Sequence, residues 1–95
     1  MQAEVTIAPY LLSTYKLIGR AFPNGINQED YLPLLALLYE QMSDRNLAEV
    51  IAYYTGKDYY IVLNDVYSVQ SSDVPISKVK ERLLACGYDD WLQEE

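Results

Sequence analysis

Ninety-five residues, 51% of them hydrophobic, are enough chain for one core and no second one, and too oily a chain for disorder. Fourteen acidic against seven basic residues leave a net charge of −7, which repels phosphate backbones and anionic lipid, so neither nucleic acid nor a membrane is an expected partner. Histidine is absent and Cys86 is the one cysteine, which excludes Cys/His zinc clusters, Ser-His-Asp and Cys-His pairings and any disulfide within the chain; no metal and no cofactor is expected.

The start, Met1-Gln2-Ala3-Glu4-Val5, holds an acid and no basic cluster, so no secretory leader is read there and a cytoplasmic location is expected. The most apolar run, Tyr31 to Tyr39, is about half of the ~20 residues needed to span a bilayer. One domain over residues 1–95, with short flexible ends, is the expected organisation.

A first helix is predicted over residues 8–22, because Leu11, Tyr15, Ile18 and Phe22 recur at the spacing of one helical stripe, Pro9 suits a first turn, and Pro23-Asn24-Gly25 ends it. The second, residues 28–42, opens on an Asn27/Asp30 capping arrangement and carries Tyr31, Leu34, Leu35, Leu38 and Met42. Pro33 removes one backbone donor, so this helix is expected to start late or to kink there. Ser43 caps a third helix, residues 44–55, in which Leu47, Val50, Ile51 and Tyr54 share a face and Gly56 supplies the stop. The short separation of the second and third patterns predicts packing at an angle rather than as an antiparallel pair.

Residues 58–69 read two ways. Their β-branched and aromatic composition favours a strand over 59–69, which would make the fold α+β. The spacing of Tyr59, Val62, Leu63 and Val66 behind an Asp58 cap favours a helix, and a lone strand would lack a partner. A loop at Gln70 to Pro75 leads to a last helix over 76–86, with Ile76, Val79, Leu83 and Cys86 inward, Lys78, Lys80, Glu81 and Arg82 on a solvated face, and Gly87 beyond it. The expected class is therefore all-α, a compact bundle of about five short helices.

Several stretches resemble a known family: Phe22-Pro23-Asn24-Gly25-Ile26, Asp30-Tyr31-Leu32-Pro33-Leu34-Leu35-Ala36-Leu37-Leu38, Ser43-Asp44, and Lys78-Val79-Lys80-Glu81-Arg82-Leu83-Leu84-Ala85 running into Gly87-Tyr88. From about Pro9 to Tyr88 the chain resembles the small mycobacterial-type proteins of domain of unknown function 3349. That resemblance implies a monomeric five-helix bundle and helical geometry over 59–69; it implies no activity, ligand or catalytic residue. The chain departs from the family pattern in its more aromatic Tyr59-Tyr60-Ile61-Val62 and in Val74-Pro75-Ile76-Ser77, where a Ser-Pro-acid opening is usual.

No catalytic constellation stands out. Thr55-Gly56-Lys57 lacks the upstream glycine and following hydroxyl of a phosphate loop and reads as a helix end. Glu29/Asp30 read as capping and solubility, and Asp89/Asp90 as an exposed acidic tail. Ten tyrosines are the unusual feature. Tyr15, Tyr31, Tyr54 and Tyr59 fall in the apolar phase, whereas Tyr53, Tyr60 and Tyr67 fall outside it and are the candidate binding residues. The chain is expected to be non-enzymatic, an interaction module that offers this tyrosine face to a protein partner. A small-molecule binder or carboxylate enzyme with a pocket between helices is the second reading, and an acidic inhibitor of a basic partner the third.

Overall fold

Three short polar side chains begin the central helices. In the computed structural model, which describes residues 8–93, Asn27 Oδ1 accepts from the Asp30 amide at 3.1 Å, Ser43 Oγ from Asn46 at 3.1 Å, and Asp58 Oδ1 from Tyr60 at 2.7 Å. Each satisfies an amide that has no partner inside its own helix, a contribution of about 0.5–2 kcal/mol. The elements they help to bound are α1 (Leu12–Ala21, entered through a 3-10 turn at Pro9–Leu11), α2 (Gln28–Leu38), α3 (Asp44–Thr55), α4 (Tyr59–Gln70), α5 (Ser77–Leu84) and α6 (Tyr88–Leu92). There is no strand among the described residues, so the all-α expectation holds and the α+β alternative falls. The expected flexible ends lie largely outside the described residues.

Residues 59–69 are helical because the pattern, not the composition, meets the core. Val62, Val66 and Val69 recur on one side of α4 and are buried, and Asp58 caps the turn that a strand would have left open. α4 packs against both α3 and α2, while α2 and α3, consecutive in the chain, touch each other little. Pro33 lies inside α2, which begins at Gln28 and so does not start late. Its missing N–H leaves the carbonyl of Glu29, an exposed residue, for water to satisfy. The helix ends at Leu38 rather than at 42, where the Gln41 amide donates to the Leu38 carbonyl and tightens the chain into a turn before Ser43.

Inward faces of all six helices close one core, with Leu17, Ile18, Leu35, Ile51, Val66 and Leu83 at zero exposure. The radius of gyration, 12.7 Å, is that of a single domain of this length. No helix among the described residues is long and apolar enough to cross a membrane.

The C-terminal end departs most from expectation. Asp89 and Asp90 are exposed, but they belong to a sixth helix whose Tyr88 is buried and whose Trp91 donates from Nε1 to Thr14 Oγ1 at 3.0 Å. Two arginines fasten the same region. Arg20, in the last turn of α1, donates to the Cys86 carbonyl just beyond α5 at 2.9 Å, and Arg82, in the last turn of α5, donates to the Ala21 carbonyl at the end of α1 at 2.5 Å. Each helix thus satisfies the orphan carbonyls of the other, where a cation also meets the negative end of the dipole. Arg82 therefore does more than belong to a solvated face: its guanidinium lies 4.7 Å from the Phe22 ring centre and 3.9 Å from Asp30 Oδ2. Asp30 itself is buried at 2% exposure, and Oδ2 has no hydrogen-bond partner, so Arg82 and Lys78, the latter 3.8 Å from Oδ1, are what offset its charge. Capping and solubility account for Glu29; Asp30 is an internal acid held by two α5 cations.

Candidate functional site

The seam between helices α3 and α4 begins with local turn chemistry. Gly56, at φ +79°, ends α3 in the left-handed conformation that a side chain disfavours, and its amide returns to the Ala52 carbonyl. Thr55 Oγ1 donates to the Ile51 carbonyl at 2.7 Å and accepts from the Lys57 amide at 3.2 Å, which sets the direction of the next residue. Lys57 Nζ consequently lies 4.8 Å from the centre of the Tyr31 ring, a cation over an aromatic face. The hydroxyl of the same ring donates to Asp65 Oδ2, on α4, at 2.7 Å.

Those groups line an open cleft of about 530 Å³ between the α1–α2 loop, the first turns of α2, the end of α3 and α4. Gly25, Ile26, Gln28, Leu32, Tyr54 and Thr55 complete its walls. The Tyr54 hydroxyl donates to the Phe22 carbonyl, and its ring meets Tyr15 edge-on. Burial, chiefly, and then the hydrogen bond and negative charge of Asp65 raise the Tyr31 phenol well above its ordinary value, so it remains a donor throughout the neutral range. Burial raises Tyr54 as well. Among the described residues no carboxylate is within ion-pairing distance of Lys57, and no group of three metal-ligating side chains occurs.

The outer side of α4 is a different surface. Tyr60, Ile61, Asn64, Tyr67 and Ser68 are exposed, Tyr60 at 75% and Tyr67 at 50%. Seven residues apart, the two tyrosines stand on one side of the helix, separated by about 10 Å along its axis. Tyr53, at 38% exposure, is on α3 and sets its ring edge-on to Tyr15 at 5.4 Å, toward α1; Tyr60 pairs with Tyr59 at 5.0 Å. The structure therefore exposes all three sequence-designated tyrosines but aligns only Tyr60 and Tyr67. α4 is also distinguished by charge. Its sole ionisable acid, Asp65, is half-buried against Tyr31, whereas the exposed sides of the other helices carry Lys16 and Arg20, Glu29, Arg45, the Lys78–Arg82 cluster, and Asp89 and Asp90.

Sequence reasoning misses Lys57 and Asp65. Tyr31 and Asp65 are 34 residues apart, and no local spacing announces their pairing; the one available signal is that Asp65 interrupts an otherwise uncharged stretch from Tyr59 to Gln70. No family model matches this chain, and no curated protein and no solved structure matches it.

Proposed function

We propose that this chain is a non-enzymatic interaction module that docks a protein partner in the cytoplasm through the outer face of α4, with Tyr60 and Tyr67 as anchors. The observation that carries the reading is the absence of charge on that face in a chain of net −7 whose other helices all expose charged side chains. Interface centres are depleted of charge and enriched in tyrosine, which brings a large, rigid area and a hydrogen-bonding tip. Tyr53, turned toward α1, is peripheral to the row. The likeness to domain of unknown function 3349 and its monomeric bundle belongs to the same proposal, and it brings no activity.

Affinity capture from the source cell, with the parent and the Tyr60→Ser/Tyr67→Ser double variant as baits, tests it. A partner retained by the parent at high salt and lost by the variant supports the α4 face; equal recovery by both removes it. Recovery that vanishes with salt and ignores the tyrosines instead marks an acidic inhibitor of a basic protein.

A further inference from the structure

The cleft on the other side of α4 carries a second, independent reading. One wall presents an ammonium, Lys57, with no acid beside it among the described residues. The same cleft is lined by a carboxylate, Asp65, whose Oδ2 is taken by the Tyr31 hydroxyl and whose other oxygen makes no hydrogen bond to the described residues. Because Lys57 stands 4.8 Å from the centre of the ring whose hydroxyl holds Asp65 at 2.7 Å, the two charges are held apart by that ring, beyond ion-pairing distance and within about 10 Å of each other. That gap is too wide for the pair to neutralise itself. Its bounds bracket the span of one α-amino acid with a hydrogen bond at each end.

Ile26, Leu32 and the ring of Tyr54 add apolar wall to the same cleft, and Leu32 is 41% exposed. A volume of about 530 Å³ has room for a large side chain. Electrostatics narrow the class further. An anion is repelled by the net −7 of the chain and a cation leaves Lys57 unmatched, whereas a molecule with one charge of each sign can match Lys57 and Asp65 together. We propose that this cleft binds a zwitterionic α-amino acid with a large apolar side chain, its carboxylate on Lys57 Nζ, its ammonium on Asp65, and its side chain against Ile26, Leu32 and Tyr54.

The test is a titration of the full chain, followed by amide resonances, with L-phenylalanine, N-acetyl-L-phenylalanine and L-phenylalanine amide. L-Phenylalanine should shift Gly25, Gln28, Thr55 and Lys57 saturably, and each blocked form, lacking one charge, should bind about tenfold more weakly or worse. Lys57→Met, at an exposed position outside the core, should abolish the preference for L-phenylalanine over its amide while leaving the spectrum folded. Asp65→Asn should abolish the preference over the N-acetyl form. Equal binding of the three probes, no saturable shift up to about 10 mM, or Lys57→Met with the preference unchanged would each overturn the proposal. None of these outcomes touches Tyr60 or Tyr67, so the fate of the α4 outer face is decided separately.

Discussion

Where α1 meets α5 and α6, polar side chains reach across the chain to close it: Arg20 to Cys86 over 66 residues, Arg82 to Ala21 over 61, and Trp91 to Thr14 over 77. Around α4 the comparable groups are differently disposed. Tyr31 meets Asp65 over 34 residues, but Lys57 is unmatched by any described acid, and the rings of Tyr60 and Tyr67 face outward. The first region commits these polar atoms to attachments between helices; the second makes such attachments too, Tyr31 to Asp65 and Gln70 to Asp44, but also leaves an ammonium and two rings available. Both regions share the one core; they differ in how their polar side chains are used.

The largest effect that can break this contrast is in the shared core. Leu83→Ala, on α5, and Leu35→Ala, on α2, each remove a side chain of zero exposure and should cost about 2–5 kcal/mol by chemical denaturation; parent-like midpoints would mean that the core is misplaced. Arg82→Met comes next. It strips the Ala21 carbonyl of its donor and leaves Asp30 with Lys78 alone, a loss of about 1.5–3 kcal/mol. Adding Asp30→Asn should return part of it, and strict additivity in that double-mutant cycle would disconnect the two residues.

Alkaline titration sharpens the comparison within the tyrosines. Tyr31, Tyr54 and Tyr88 have raised phenol values, mainly through burial, with Asp65, Tyr15 and Asp89 adding to the respective effects. Folding therefore favours their protonated forms. Their contribution to stability is complete below the ordinary phenol value of about 10 and is lost as pH rises through the higher folded values. Phenolate absorbance should show a late-ionising group of rings, and Asp65→Asn should advance Tyr31 alone. The smallest effect belongs to the outer face: Tyr60→Ser/Tyr67→Ser should leave stability within about 0.5 kcal/mol per site, and a clear loss of melting temperature would assign those rings to packing.

Much of the architecture is legible in the sequence because helix signals are local. Asn27, Ser43 and Asp58 each cap the helix that their spacing announces, and the recurrences of Leu47, Val50 and Ile51 or of Val62 and Val66 are the buried stripes. What is not legible is what depends on distant partners. Asp30 reads as an exposed cap acid until α5 arrives over it, and Arg82 as a solvated cation until Ala21 lies beneath it. Asp89 and Asp90 read as a tail because five residues supply too few turns for a stripe, although Tyr88 and Trp91 on either side of them anchor the segment. The Tyr60/Tyr67 row is local and is found by phase; the Lys57–Tyr31–Asp65 arrangement joins three elements and is not.

The exchanged arginine caps have a consequence for the order in which the molecule is assembled. Until α5 has left the ribosome, the tail of α1 has no guanidinium over its carbonyls, and Asp30 has no positive neighbour from that helix to accompany it out of water. The first seventy or so residues lack both the helix that covers Asp30 and the two cations that accompany its burial. Synthesis interrupted before Arg82 would lack that cation together with the Leu83 and Tyr88 side chains that close the core, and would yield a product suited to quality-control proteolysis rather than a smaller working domain.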